Sequence, residues 1–222
     1  MCGRFSQSKS TETIAQVFQV SNVPPLTPRY NIAPTQQIQT ILQNAEQPQR
    51  EFQMLHWGLI PSWAKDPKMG ARMINARAET VTEKPSFRAA FKQRRCLILA
   101  DGFYEWQQQE KNKQPFYFRM NDERPFAFAG LWEHWKSGDG EVIDSCTILT
   151  TEPNDLMRPV HNRMPVIIDP KDYDLWLDTE VKKPELLQPL LHPYSAEEMT
   201  AYPVSTKVNK PVNDSAELIN SL

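Results

Sequence analysis

The sequence predicts an α+β fold in which one domain, residues 1–222, is built from curved, largely antiparallel and barrel-like β-sheet with helices at its periphery. Three observations lead there. Eight short runs rich in β-branched and aromatic residues pass through the middle of the chain, at 36–43, 51–57, 95–100, 103–108, 115–120, 126–132, 142–150 and 164–168. Only four helix signals accompany them, and they read as peripheral. No flexible linker divides the chain, whose 19 prolines against 7 glycines are spread along it as fixed points in loops.

The first helix opens at Ser10, with Glu12 behind the cap and Ile14, Val17 and Phe18 on one face, and Pro24-Pro25 closes that region. A second starts from Ser86 and carries Phe87, Ala90 and Phe91. The third begins at Asp169-Pro170 with Tyr173, Trp176 and Leu177, and the last at Pro184. Between the apolar run 96–100 and the aromatic run Phe103-Tyr104-Glu105-Trp106, Asp101-Gly102 reads as a two-residue hairpin turn, so these strands are expected to pair antiparallel. Glu105 then sits on a strand. Trp57, Trp132 and Trp176 are expected in the core.

Composition narrows the function classes. The chain is 40% hydrophobic and 23% charged, and no stretch approaches the roughly 18 apolar residues of a membrane span. The first ten residues have no apolar segment of the secretory kind, so a cytoplasmic address is expected. Cys2, Cys96 and Cys146 are odd in number and widely spaced, which fits neither a disulfide framework nor a zinc site. Reduced thiols, no metal and no cofactor are expected. A net charge of −2 gives no whole-molecule attraction to nucleic acid, so any DNA binding must rest on a local basic patch.

Cys2 is the first chemical candidate, because a small side chain at position 2 permits removal of Met1 and leaves an α-amine and a thiol on one residue. An aldehyde meeting both would form a Schiff base with the amine, and the thiol would close on the imine carbon to a five-membered thiazolidine. The other chemistry open to the same residue is that of an N-terminal-nucleophile hydrolase, and position alone also allows an incidental small residue. Glu105, in its aromatic strand, would be raised in pKa by burial and could exchange a proton near neutrality; a solvent-facing or arginine-paired carboxylate is the structural alternative. His161 stands in a polar, basic segment before the apolar strand at 164–168 and could shuttle protons, or be a surface loop histidine. Asn75 offers a loop amide for hydrogen bonding, with Arg77 two residues on as a possible phosphate contact. Of Trp57 and Trp63, an exposed one beside a basic patch could stack on an unpaired base. His56, His134 and His192 share no ligand spacing and read as structural.

Together these residues resemble the SOS response-associated peptidase family, the abasic-site processing proteins. The likeness runs nearly end to end: Met1-Cys2-Gly3-Arg4-Phe5, Arg29-Tyr30-Asn31-Ile32-Ala33-Pro34, Trp57-Gly58 with Pro61-Ser62-Trp63, Ile74-Asn75-Ala76-Arg77-Ala78-Glu79-Thr80, Ala100-Asp101-Gly102-Phe103-Tyr104-Glu105-Trp106, and His161-Asn162-Arg163-Met164-Pro165. Val208-Asn209-Lys210 with Asn213 also fits. The resemblance implies a similar α+β fold and a covalent thiazolidine between Cys2 and the ring-opened aldehyde of an abasic site in single-stranded DNA. It implies that Glu105 relays protons at the amine and imine, that His161 serves the sugar ring oxygen, and that Asn75 positions Cys2. Gly3, Arg4, Trp63, Arg77 and Thr150 match positions that line the family's DNA groove. A monomer working on single-stranded DNA in the cytoplasm, nucleoid-associated in a bacterium and without a membrane partner, is the expectation. A peptidase that removes Met1, and a non-covalent single-strand binder, are the alternatives.

Overall fold

The computed structural model describes residues 2–43 and 49–222. The chain enters with strand β1 (Phe5–Gln7), helix α1 (Thr11–Phe18) and strand β2 (Arg29–Ile32). Strands β3 (Gln37–Gln43) and β4 (Arg50–Trp57) follow, then β5 (Asn75–Arg77), helix α2 (Arg88–Gln93), β6 (Arg95–Ala100) and β7 (Gly102–Gln108). The long strands are β8 (Lys113–Met120), β9 (Phe126–Lys136) and β10 (Val142–Thr151). After them come β11 (Met164–Pro165), β12 (Ile167–Ile168), helices α3 (Tyr173–Leu177) and α4 (Pro184–Leu187), and β13 (Met199–Pro203).

Five of these strands close a barrel. The order β4-β3-β6-β9-β10 is antiparallel throughout, and β10 returns to β4 through a parallel contact at Ser145↔His56 and Cys146↔Trp57. Closure makes both faces of the wall apolar. Along β6, Cys96, Ile98 and Ala100 belong to one core cluster with Phe5, Phe128 and Ile148, while Leu97 and Leu99 belong to a second with Ile14, Phe18 and Trp176. The second cluster is where the helices pack. Ser10 caps α1 by accepting from the Thr13 amide, and α1 buries Ile14 and Phe18. Arg95 is itself buried on β6, and donates to the carbonyls of Phe91 (2.8 Å) and Trp176 (2.6 Å), tying α2 and α3 to the barrel.

The other sheet, in order β13-β8-β7-β1-β2, supplies the inner cluster with Phe5, Phe103 and Phe118. Curved, largely antiparallel and barrel-like sheet with outer helices is thus what the chain forms. The expected strands recur with ends shifted by up to four residues, except that 164–168 is two short strands. There β11 pairs with β10, β12 pairs with β9, and the Val166 amide between them donates to Leu149.

Three expectations are corrected. Asp101-Gly102 is no hairpin turn: β6 pairs with β3 and β9, whereas β7 pairs with β1 and β8, so the dipeptide carries the chain from barrel to second sheet. Its residues are small and polar for a packing reason. The Asp101 carboxylate accepts from the Ser6 and Ser8 hydroxyls, and a Cβ on Gly102 would lie 2.1 Å from the Tyr117 ring and hydroxyl. Second, Asn75 lies on β5 rather than in a loop, parallel to β10 with Asn75 level with Ile148. Third, Trp132 is only half-buried, and Trp135 takes the interior place, donating 2.7 Å to the Ala64 carbonyl; Trp57 and Trp176 are buried as expected.

The Tyr117 overlap gives a direct test. Gly102→Ala should destabilise the fold by about 1–3 kcal/mol, because Tyr117 is held by Ser6 and has no space to retreat. Gly138→Ala, where an added Cβ meets nothing within 4 Å, should be near neutral. Urea midpoints of the two variants measure the difference, and equal midpoints would remove the packing account of Gly102.

Candidate active site

The site begins with β1, a central strand of the second sheet although it lies at the start of the chain. Phe5 is level with Ile32 on one side and Phe103 on the other, and the Tyr104 amide donates to the Arg4 carbonyl at 2.9 Å. Carried one residue further, this register sets Gly3 level with Glu105. Cys2 is fully buried in the inner cluster with Phe5, Trp57 and Met164. Burial pushes its thiol far above the usual cysteine range, and the nearby Glu105 carboxylate pushes it further. In this state the sulfur is a thiol rather than a thiolate.

Glu105 is 3% exposed, and burial raises its carboxyl above the ordinary range, with His161 opposing the shift. It faces a groove of about 460 Å³ lined by Glu105, Trp106, Lys113, His161 and Asn209. Strand β7 thus delivers one side chain to both Cys2 and the groove. His161 is mounted on the Arg163 backbone, whose amide donates to Nδ1 at 3.0 Å and whose carbonyl lies 3.0 Å from the same atom. Neutral imidazole can accept from that amide at Nδ1, with its proton on Nε2, or donate from Nδ1 to that carbonyl in the other tautomer. Imidazolium would likewise donate from Nδ1 to the carbonyl, so one mount accepts both protonation states.

Asn75 is placed by β10. Its Nδ2 donates to the Ile74 carbonyl (2.9 Å), which also accepts from Trp57 Nε1 (2.9 Å), and its Oδ1 is buried without a hydrogen-bond partner among the described residues. Ile74 packs against the cluster that holds Cys2. A buried amide oxygen of this kind is an acceptor with unused capacity.

The remaining expected residues divide by exposure. Arg77 is exposed at the end of β5, level with Thr150, which is buried and donates to Ala76. Trp63 is 57% exposed on the separate 58–72 loop. That loop is firmly seated: Gly58 has φ +138°, a Cβ on it would lie 2.7 Å from the Gly70 carbonyl, and the Ile60 amide donates to Ser145. Gly3 is half-buried between Cys2 and Arg4. Arg4 is turned inward, with Nη1 donating to Asn31 Oδ1 (2.8 Å) and the Val208 carbonyl (2.7 Å) and its guanidinium 5.9 Å from the Trp106 ring.

Several residues that the sequence reading gave no role prove important to the site. Asn31, fully buried, donates from Nδ2 to the carbonyls of Val208, Lys210 and Asn213, fastening the C-terminal segment beside Arg4. Asn209 on that segment accepts from Trp106 Nε1 at 2.7 Å. Glu79 takes the Arg163 guanidinium with both oxygens, at 2.6 and 2.9 Å. All lie in the motifs that carry the family resemblance, which is the signal that marks them. A larger hollow of about 560 Å³, lined by Gln19, Ser21, Arg50 and Asp174 among others, holds no candidate residue, so chemistry rather than size selects the Glu105 groove. His134 pairs with Asp144 at 2.7 Å, His56 is half-buried on β4 and His192 is exposed. The three cysteines are free and buried, and no helix among the described residues is long and apolar enough to cross a membrane.

Comparison with known proteins places this geometry. A protein of Bacteroides thetaiotaomicron of known crystal structure superposes with a TM-score of 0.88 at 27% identity, over 100% of both chains. The abasic site processing protein YoqW of Bacillus subtilis is 46% identical over the full length of both chains. The abasic site processing protein HMCES of Xenopus tropicalis is 35% identical over 88% of this chain and 66% of its own. The profile of the SOS response associated peptidase (SRAP) family matches residues 1–211, and with it the chain belongs to that family.

Proposed function

We propose that this protein processes abasic sites in single-stranded DNA by trapping them covalently on Cys2, once Met1 has been removed. The observation that carries this reading is the line Cys2–Glu105–His161: a residue with both nucleophiles, a buried carboxyl whose pKa burial raises, and an imidazole in an open groove. The names of the relatives, abasic site processing proteins, support it.

In the proposed reaction the sugar ring opens to its C1′ aldehyde, with His161 moving the proton at the ring oxygen. The Cys2 amine adds to C1′, and the C1′–O bond breaks as Glu105 delivers a proton and water departs, leaving the imine. The thiol then adds across the C=N bond, sulfur to carbon and proton to nitrogen, closing the thiazolidine. The atoms balance as aldehyde plus aminothiol giving thiazolidine plus one water. No thiolate is needed for ring closure, which suits the raised thiol; it counts against the second reading, attack of Cys2 sulfur on the Met1 peptide bond, where a thiolate does the work. Asn75 Oδ1 would receive the donor of the amine, and Arg77 and Trp63 would meet backbone and unpaired base on either side. The site of action would be wherever single-stranded DNA is exposed in the cell.

Incubating the mature protein with a single-stranded oligonucleotide, with and without one abasic site, should give a heat-stable adduct only with the lesion. Cys2→Ala should leave at most a borohydride-reducible Schiff base; a full yield of stable, unreduced adduct from that variant would sink the mechanism. Equal retention of both oligonucleotides with no adduct would indicate a non-covalent binder, and Met1 release blocked by Cys2→Ala would support the peptidase.

Glu105→Gln should slow adduct formation by about 10²–10⁴-fold, since the amide keeps the shape but exchanges no proton. His161→Ala should slow formation and reversal by the same factor and leave the equilibrium yield nearly unchanged. Single-turnover rates and a chase of preformed adduct with excess abasic competitor measure both.

The raised Glu105 carboxyl also predicts a stability profile. Between the ordinary carboxylate range and its own higher value the folded chain binds more protons than the unfolded one, so this group's contribution is present at low pH and lost as pH rises. Glu105→Gln should therefore gain stability over wild type as pH increases through that window, and match it more closely below. Urea midpoints across the acidic to neutral range test this; a constant difference would contradict the assignment.

A further inference from the structure

Strand β10 exchanges partners near its end. One edge passes from β4 to β5 and the other from β9 to β11, so that Thr150 lies level with both Arg77 and Pro165. The two segments that carry Asn75 and His161 therefore leave the barrel on opposite sides of Thr150. One side-chain bridge spans them. Glu79, in the turn that follows β5, accepts from Arg163 Nη1 at 2.6 Å and Nη2 at 2.9 Å, and Nη2 donates in addition to the Thr150 carbonyl. The same Arg163 supplies the backbone amide that fixes His161 Nδ1.

We propose that Glu79 is a positioning residue for His161: by holding the Arg163 guanidinium against the end of β10, it keeps the Arg163 backbone, and with it the imidazole, aimed into the Glu105 groove. The proposal rests on the reading of His161 as a proton carrier in abasic-site capture. Exposed ion pairs contribute little to stability, and half of the Glu79 side chain is exposed. What a two-toothed carboxylate–guanidinium fork supplies is orientation, and here it has a third tooth in the Thr150 carbonyl and a partner side chain only 16% exposed. Arg163 holds the Glu79 carboxyl below the usual range, which favours the charged form that the fork needs. His161 must reach a moving proton from a loop, and an error of an ångström there is costly.

The test uses the mature full-length chain. In Glu79→Gln, adduct formation and reversal should fall together by about 10–100-fold, with thermal midpoint unchanged and affinity for undamaged single-stranded DNA not reduced. Arg163→Lys, which keeps the charge and loses the fork, should behave alike. In a His161→Ala background, Glu79→Gln should add nothing. Nitrogen-15 NMR of the histidine rings, read without DNA, should show one dominant tautomer of neutral His161 in wild type and a more even mixture in Glu79→Gln. The proposal is overturned if tautomer and rates stay at wild-type values, if Glu79→Gln slows the His161→Ala protein as much as the parent, or if the rate loss merely follows a loss of affinity. Absence of adduct from wild type itself would defeat the functional reading, while the tautomer measurement would still decide whether Glu79 positions His161.

Discussion

The constraint on which this structure depends is that the start of the chain must be the middle of a sheet. A three-residue strand has few ladder hydrogen bonds of its own, and terminal residues ordinarily fray. β1 is held by its side chains instead. Phe5 packs edge-on against Trp57 and Phe128, at 5.0 and 5.7 Å between ring centres, which joins the strand to the barrel interior. Ser6 is joined to Asp101 and Tyr117, and Arg4 to Asn31 and the Val208 carbonyl. Every one of those partners is distant in sequence. The ordering entropy of residues 2–4 is therefore met by tertiary contacts during folding, before any substrate binds.

That arrangement has an electrostatic consequence. A residue brought into the interior in this way takes its titratable groups out of water, and the nearest carboxyl with it. Cys2 and Glu105 are each pushed toward the neutral form by burial, and each charged form would raise the other's cost. Proximity of a thiol to a carboxyl thus costs least while both are neutral. The groove beyond them is different in kind: His161, Lys113 and Asn209 line an open space where charge is tolerated. Proton exchange with solvent is available on one side of Glu105 and apolar packing on the other.

Much of the fold was legible in the sequence, because half the strands bury both faces and so stand out as apolar runs, as 95–100 and 126–132 do. What was not legible were elements defined by their partners. β1, β2, β5 and β13 are three to five residues long with polar members, and become strands only because β7, β10 and β8 offer edges to them. The hairpin reading of Asp101-Gly102 failed for a related reason. Local turn chemistry was right for a reversal, but each flanking strand found better partners elsewhere, and the glycine answers to Tyr117 rather than to a turn. Among site residues, Glu105 and His161 were legible as chemistry and do line one groove. The inward turn of Arg4 was not, since its partners Asn31 and Val208 are 27 and 204 positions away.

The tail completes the argument. Asn31 binds three carbonyls of the segment 208–213, Asp214 accepts from Arg29 and from the amides of Tyr30 and Asn31, and Asn209 holds the indole beside the groove. The C-terminal segment and β1 therefore share the same two anchors, β2 and Arg4. Loosening either would free Trp106 on one flank of Glu105 and the Cys2–Gly3 segment on the other. The two ends of the chain act as one clamp around the buried carboxyl, which is why motifs so far apart in sequence belong to a single site.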